Sequence, residues 1–222
     1  MEPRPAVLLD VDGTLVDSNY AHIHAWQLAF HELDVTVEAW RLHRCIGMDG
    51  GQLLAELVPA DARDEAKELH GKHYAAAADL LRPLPGAVDL LDAIVGSGLQ
   101  AVLASSAPPD ELAILRRVLR RDDVFAAMTS SGDVDEAKPR PDIVAVALDR
   151  AGVTPERAVF VGDTVWDVRA ARSAGVTCIG VLSGGIARAE LEAEGAETIW
   201  ENARELLDNL AHSPIGALVT AV

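Results

Sequence analysis

One stretch near the N-terminus, residues 6–18, reads Ala6-Val7-Leu8-Leu9-Asp10-Val11-Asp12-Gly13-Thr14-Leu15-Val16-Asp17-Ser18. Its apolar start predicts a buried strand, and the Gly13-Thr14 pair predicts a turn after it. Alternate side chains of a strand share a face, so Asp10 and Asp12 would point the same way, but the turn can re-aim the second carboxylate. One carboxylate of such a pair can attack a phosphoryl group while the other moves a proton, provided that a cation offsets the charge. An Asx turn without any chemistry is the alternative interpretation.

A second apolar run, over residues 99–104, ends in the hydroxyl side chains of Ser105 and Ser106. Pro108 and Pro109 follow and favour the start of a helix. Small donors at a helix N-terminus form a ready site for phosphate oxygens. Both serines are therefore candidate phosphate ligands, and an ordinary helix N-cap is the alternative.

A basic side chain, Lys138, lies within the segment Glu-Ala-Lys-Pro-Arg-Pro-Asp at residues 136–142. The chain has 16 Arg and only 3 Lys, so a basic position filled without preference would usually carry Arg. A compact ammonium suits a crowded anionic site, and the wider guanidinium is not interchangeable with it. Lys138 is therefore a candidate partner for a phosphoryl group, with a solvated surface lysine as the alternative.

A third apolar run, over residues 158–162, ends in Gly162 and Asp163, and a helix is predicted to follow. Asp167 comes four residues after Asp163 and falls on the same face one turn later if the helix has begun. Asp163 is a candidate metal ligand, and Asp167 could bind the metal through water or orient Lys138. A first-turn acid favoured by the helix dipole is the equal alternative for Asp167.

These four motifs, in this order, resemble the signature of the haloacid dehalogenase-like hydrolases. The resemblance to their capped phosphatase and phosphomutase branch spans essentially the whole chain. It implies that Asp10 is the nucleophile and that Asp12 protonates the leaving group and then activates water. It also implies Mg²⁺, which prefers hard oxygen ligands, held by Asp10, the backbone carbonyl of Asp12 and Asp163, with Asp167 close by.

The resemblance further implies that Ser105 and Lys138 neutralise and orient the phosphoryl oxygens. Additional substrate contacts are expected from Gly13, Thr14, Ser106 and His22. A histidine with a structural role on the surface of a helix is the alternative for His22.

Apolar strands and amphipathic helices alternate along most of the chain, which predicts an α/β fold. We expect a Rossmann-like parallel sheet with helices on both faces. The strands are expected near residues 6–10, 99–104, 125–129, 158–162, 177–181 and 198–200. Ligands bind beyond the carboxyl ends of such strands, which is where Asp10, Ser105 and Asp163 fall.

The alternation stops between residues 16 and 81, where no convincing strand is found. Four helices are expected there instead, near residues 20–33, 37–44, 50–58 and 62–78. We interpret residues 16–81 as an inserted all-helical cap, and residues 1–15 with 82–222 as the α/β core. A cap over the strand ends would exclude water and help to select the substrate.

The formal net charge of −16 argues against a nucleic-acid partner, because such binding depends on clustered Lys and Arg. No apolar run approaches the ~18 residues of a membrane span and no signal-peptide pattern is present, so we expect no membrane partner and a cytoplasmic location. Cys45 and Cys178 are too few for a disulfide framework. The expected partner is a small phosphorylated metabolite.

The expected reaction is hydrolysis of a phosphate monoester through an aspartyl phosphate. Dehalogenases and phosphonoacetaldehyde-cleaving relatives lack the second acid, so Asp12 favours phosphate ester chemistry. β-Phosphoglucomutases carry a cap arginine where this chain has Gly50, and an acidic residue where it has Gly162. Both differences favour a hydrolase over a sugar phosphomutase, which stays the alternative, followed by a weakly active metal- or phosphate-binding protein. Phosphoglycolate, sugar phosphates and nucleotide monophosphates all fit as substrates.

Overall fold

The computed structural model describes residues 3–133 and 142–220. Strands run over β1 Ala6–Leu9, β2 Val16–Asp17, β3 Arg82–Pro83, β4 Gln100–Ala104, β5 Phe125–Thr129, β6 Ala158–Gly162, β7 Thr177–Val181 and β8 Thr198–Trp200. Helices run over α1 Asn19–Glu32, α2 Ala39–Cys45, α3 Gly50–Leu57, α4 Arg63–Ala76, α5 Ala87–Gly96, α6 Pro109–Leu119, α7 Asp142–Ala151, α8 Val165–Ser173, α9 Arg188–Glu194, α10 Ala203–Asp208 and α11 Pro214–Thr220.

Six parallel strands form the central sheet in the order β5-β4-β1-β6-β7-β8. The chain moves from β1 outward to β4 and β5, returns to β6, and then continues to β7 and β8 on the other side. The direction of winding therefore switches between β1 and β6, and a ligand crevice is expected beyond the carboxyl ends of these two strands. The predicted α/β class and all six predicted strands are confirmed.

Helices cover both faces of the sheet, and the central strand shows why. Val7 and Leu9 pack into one apolar cluster with α5, α6, α10 and α11. Ala6 and Leu8 pack into a second cluster with α7, α8 and α9. All four side chains are fully buried, and each buried Val or Leu contributes about 1.5–3 kcal/mol to folding. A strand with apolar residues on both faces is typical of a sheet covered on both sides.

The four helices α1–α4 form an insertion between β1 and β4 and have an apolar core of their own. This core includes Trp26 and Phe30 of α1, Leu42 of α2, and Leu53 and Leu54 of α3. The helical insertion predicted after the first motif is therefore present. Among the described residues, no helix is long and apolar enough to cross a membrane.

A two-stranded ribbon connects this insertion to the core, because β2 pairs antiparallel with β3. The expectation that residues 16–81 contain no strand was wrong at Val16–Asp17. Two residues are too few to show the alternation of apolar and polar side chains that indicates a strand. Helix α11 was also missed: Pro-Ile-Gly-Ala-Leu-Val-Thr carries no helical signal beyond its first proline. The bounds of the cap, residues 16–81, stay a prediction.

Candidate active site

Three carboxyl side chains, those of Asp10, Asp163 and Asp167, meet beyond the carboxyl ends of β1 and β6. One oxygen of each lies within 4.8 Å of the others, and all three residues are buried. Burial raises the pKa of Asp163 well above its usual range, the charges of Asp167 and Asp10 raise it further, and hydrogen bonds from Asn19 and Thr14 oppose this. Because buried like charges repel, the cluster fits a bound cation with a preference for hard oxygen ligands.

The Asp163 carboxylate is held from both of its oxygens. Thr14 Oγ1 donates to Asp163 Oδ1 at 3.0 Å, and Asn19 Nδ2 donates to Asp163 Oδ2 at 2.9 Å. Two glycines make room for it, since a Cβ atom at Gly13 or Gly184 would lie 2.3 Å or 1.6 Å from Asp163 Oδ2. Gly13 also has a φ of +72°, a conformation that glycine adopts without strain. Neither Gly13 nor Thr14 lines the cleft described below.

Asp167 is a first-turn acid of α8, and its role toward a metal ion or Lys138 stays a prediction. It is the third residue of α8, and its Oδ2 accepts hydrogen bonds from Thr164 N at 3.0 Å and Thr164 Oγ1 at 2.7 Å. Together with the bond from Asp167 N to Thr164 Oγ1, this forms a capping box. Asp167 therefore fixes the start of α8 and at the same time contributes a carboxylate to the buried cluster.

Asp12 lies beside the cluster and contacts the first cap helix. Its Oδ1 accepts a hydrogen bond from Ser18 Oγ at 2.5 Å and lies 3.2 Å from His22 Nε2. His22 is buried rather than on the helix surface. Burial lowers the pKa of His22, but the neighbouring Asp12, Glu111 and Asp10 carboxylates outweigh this and raise it.

The two serines after β4 have different surroundings. Ser105 is fully buried, and its Oγ accepts a hydrogen bond from Ala107 N at 3.1 Å. Ser106 lines the cleft, and its Oγ is buried with no hydrogen-bond partner among the described residues. Helix α6 begins at Pro109 with Pro108 as its N-cap, so neither serine caps it. Lys138 lies outside the described residues.

A cleft separates these strand ends from the cap. Its core side and its hinge side are lined by Asp10, Asp12, His22 and Ser106. The cap contributes the mostly apolar side chains of Trp26, Cys45, Ile46, Met48 and Leu53. Within residues 3–133 and 142–220, Lys67 is the single Lys or Arg on its lining. The core side of the cleft is therefore acidic and polar, and its cap side is mostly apolar.

Several residues at this site were missed by the sequence reasoning. Asn19 and Gly184 hold or make room for the Asp163 carboxylate, but neither belongs to a motif that the sequence singles out. His70 and Glu111 reach the site from α4 and α6, and each fits its helix as an ordinary polar residue. Their roles depend on how helices far apart in the sequence pack together, which no local pattern in the chain reveals.

Most of the chain is similar to a known protein family. The family model described as haloacid dehalogenase-like hydrolase matches residues 7–181. A phosphoglycolate phosphatase from Pseudomonas putida is 28% identical, with 95% of this chain and 81% of that protein covered.

Solved structures of similar proteins share this fold. A hydrolase from Pseudomonas syringae is 32% identical with a TM-score of 0.90, covering 94% of this chain and 99% of that one. CbbY from Rhodobacter sphaeroides, in complex with xylulose-(1,5)-bisphosphate, is 26% identical with a TM-score of 0.78, covering 91% of this chain and 96% of that one. The chain therefore belongs to the haloacid dehalogenase-like hydrolases and is an enzyme of that family.

Proposed function

We propose that this enzyme hydrolyses small phosphate monoesters through an aspartyl-phosphate intermediate on Asp10. The observation that carries the proposal is the buried cluster of Asp10, Asp163 and Asp167 at the switch point of the sheet, with Asp12 beside it. A carboxylate attacks an anionic phosphoryl group only where nearby positive charge offsets the repulsion. The cluster supplies a cation site where that attack would occur.

In the first step, an Asp10 carboxylate oxygen attacks phosphorus and the bond from phosphorus to the ester oxygen breaks. Asp12 gives its proton to that departing oxygen, so that a neutral alcohol leaves. In the second step, Asp12 removes a proton from water, and the water oxygen attacks phosphorus. The bond from phosphorus to Asp10 then breaks, which releases inorganic phosphate and restores both carboxyl groups.

The metal ion, which we propose is Mg²⁺, would be held by the side chains of Asp10, Asp163 and Asp167 and by the backbone carbonyl of Asp12. When bound, Mg²⁺ supplies positive charge to the cluster and to the phosphoryl oxygens. Ser106 lines the cleft and its buried Oγ has no hydrogen-bond partner among the described residues, which supports a role for it in orienting these oxygens. Ser105 and Lys138 keep the phosphate-binding roles that the resemblance implies.

Two glycines favour hydrolysis over sugar phosphate isomerisation. A Cβ atom at Gly162 would lie 2.5 Å from Asp167 Cβ, so the packing of Asp167 leaves no room there for the acidic residue of the mutases. Gly50 lies on the cleft wall, where a Cβ atom would meet only Trp26 at 3.9 Å. The cap thus offers open space where the mutases place an arginine.

We infer a small substrate with an anionic or polar group beside the phosphate. The cleft lining supports this, since the mostly apolar cap side of the cleft also carries the charged side chains of Lys67 and Asp49. Phosphoglycolate and short sugar phosphates both fit that description, in line with the relatives found in Pseudomonas putida and Rhodobacter sphaeroides.

The test is a phosphate-release screen over many phosphorylated metabolites, with Mg²⁺ present. The Asp10→Asn protein serves as the blank, because it keeps the shape of the site without the nucleophile. We expect release by the wild type that stops after chelation and is absent in the variant. No release from any ester would contradict the proposal, and an isomerised sugar phosphate in place of free phosphate would establish the mutase instead.

A further inference from the structure

A row of four polar side chains runs from the active site into the core helix α6. His22 Nε2 lies 3.2 Å from Asp12 Oδ1, and His22 Nδ1 lies 3.1 Å from His70 Nε2. On its other side, His70 Nδ1 lies 3.3 Å from Glu111 Oε1. The row begins and ends on the core, at Asp12 and Glu111, and passes through the cap helices α1 and α4.

Aromatic side chains fix the two imidazole rings in place. Tyr74 stacks on His22 with ring centroids 4.0 Å apart, and Trp26 stacks on His70 with centroids 3.9 Å apart. His22, His70 and Glu111 are 8%, 5% and 7% exposed. Rings enclosed in this way keep the hydrogen-bond partners that the packing gives them.

Glu111 is not explained as an ordinary first-turn acid of α6. The exposed Asp110 already places a negative charge in that turn, where the helix dipole favours it. Glu111 is instead buried on the cleft wall, and burying a carboxylate is costly unless it accepts hydrogen bonds. Its contact with His70 is the compensation visible in the structure.

The row determines which ring nitrogens carry protons. A carboxylate can only accept hydrogen bonds, so the contact with Glu111 requires that His70 carry its proton on Nδ1. His70 Nε2 is then a hydrogen-bond acceptor. His22 Nδ1 then donates to His70, and a neutral His22 presents the lone pair of Nε2 to Asp12. Three hydrogen bonds need three protons and two neutral imidazoles supply two, so the third lies between Asp12 and His22.

We propose that Glu111 is a positioning residue for this reaction, which acts through His70 and His22 on the Asp12 carboxyl group. The inference rests on the phosphatase function proposed above. Glu111 fixes the tautomers of both histidines, and His22 then holds Asp12 with its proton ready for the leaving oxygen. Because both histidines belong to the cap, the row is complete only while the cap is seated on the core.

The test compares Glu111→Leu, which removes the acceptor, with Glu111→Gln, which keeps an acceptor oxygen. The kcat/KM values are measured for an alkyl phosphate that the screen identifies and for p-nitrophenyl phosphate, whose leaving group departs without a proton. We expect Glu111→Leu to lose about 10- to 100-fold on the alkyl ester and to change little on p-nitrophenyl phosphate. Glu111→Gln should lose less on the alkyl ester.

This comparison separates proton delivery from structural damage, because kcat/KM excludes the later hydrolysis of the aspartyl phosphate, which both substrates share. The Asp110→Asn variant is the matched control for charge in the first turn of α6, and it should behave like the wild type. Equal losses on both esters, or no loss on either, would overturn the proposal. Thermal unfolding identifies a variant that has not folded, and Glu111→Gln then carries the comparison.

A second readout does not depend on turnover. Nitrogen-15 NMR of the histidine side chains should show His70 protonated on Nδ1 in the wild type and should lose that signature in Glu111→Leu. If no ester is hydrolysed, the proposed function fails while this readout still decides whether Glu111 fixes the tautomers. An unchanged His70 signature would contradict the inference, as would stoichiometric Zn²⁺ bound by His22, His70 and Glu111.

Discussion

Asn19 Nδ2 donates a hydrogen bond to Asp163 Oδ2 at 2.9 Å, so the first residue of the cap's first helix holds a carboxylate of the core. The same amide lies 3.4 Å from the carbonyl oxygen of Gly184. The cap is therefore connected to the candidate metal site at its hinge, in addition to its contacts across the cleft.

Replacing Asn19 by alanine should weaken metal binding. Residues that orient metal ligands typically affect affinity by about 10- to 100-fold, and Asn19→Ala removes one of the two hydrogen bonds seen on Asp163. The measurement is the Mg²⁺ concentration that gives half-maximal phosphate release. Asn209→Ala is the control, since Asn209 Nδ2 bonds the carbonyl oxygen of Glu205 at the end of α10. An unchanged Mg²⁺ requirement in Asn19→Ala would refute this role.

Gly184→Ala should abolish metal-dependent activity even where the protein still folds. The added Cβ would lie 1.6 Å from Asp163 Oδ2, so the carboxylate must leave its position. Activity and Mg²⁺ binding by calorimetry check this, and both should fall together. Activity near that of the wild type would mean that Asp163 tolerates displacement and is no essential ligand.

Gly71→Ala should have the opposite effect and stabilise the protein. Gly71 lies inside α4, and an added Cβ would meet nothing within 4 Å. Alanine favours a helix over glycine by about 0.8–1 kcal/mol, so the free energy of unfolding should rise by a similar amount. Urea unfolding at a fixed Mg²⁺ concentration measures this difference. A loss of stability would show that α4 needs flexibility at this position.

The sequence predicted the six strands of the sheet because each is a short run of mostly apolar residues. Asp10, Ser105 and Asp163 could be placed at one edge because each directly follows a strand, and parallel strands present their carboxyl ends together. Asp167 was placed only by its four-residue spacing from Asp163. Asn19, His70 and Glu111 could not be placed, because each reaches the site through the packing of a cap helix against the core. The pairing of Val16–Asp17 with Arg82–Pro83 was likewise not predicted, because two residues are too few to show the alternating pattern of a strand.

Removing Mg²⁺ should destabilise the protein in a pH-dependent way. The raised pKa of Asp163 means that the metal-free folded state binds more protons than the unfolded state above the ordinary aspartate pKa of about 3.9. Stability without metal should therefore fall as pH rises from that value through the raised pKa. Bound Mg²⁺ favours the charged carboxylates, so it should reduce this slope and add about 2.7 kcal/mol at 100 times its Kd.

Thermal unfolding across pH, with chelator or with Mg²⁺ at constant ionic strength, measures both effects. The Asp10→Asn variant should be compared with the wild type in this experiment, since it removes one of the three mutually repelling carboxylates. Without metal the variant should be more stable than the wild type, and it should gain less from Mg²⁺. If Mg²⁺ shifts the unfolding temperature of both proteins equally at every pH, the cluster of Asp10, Asp163 and Asp167 is not where the ion binds.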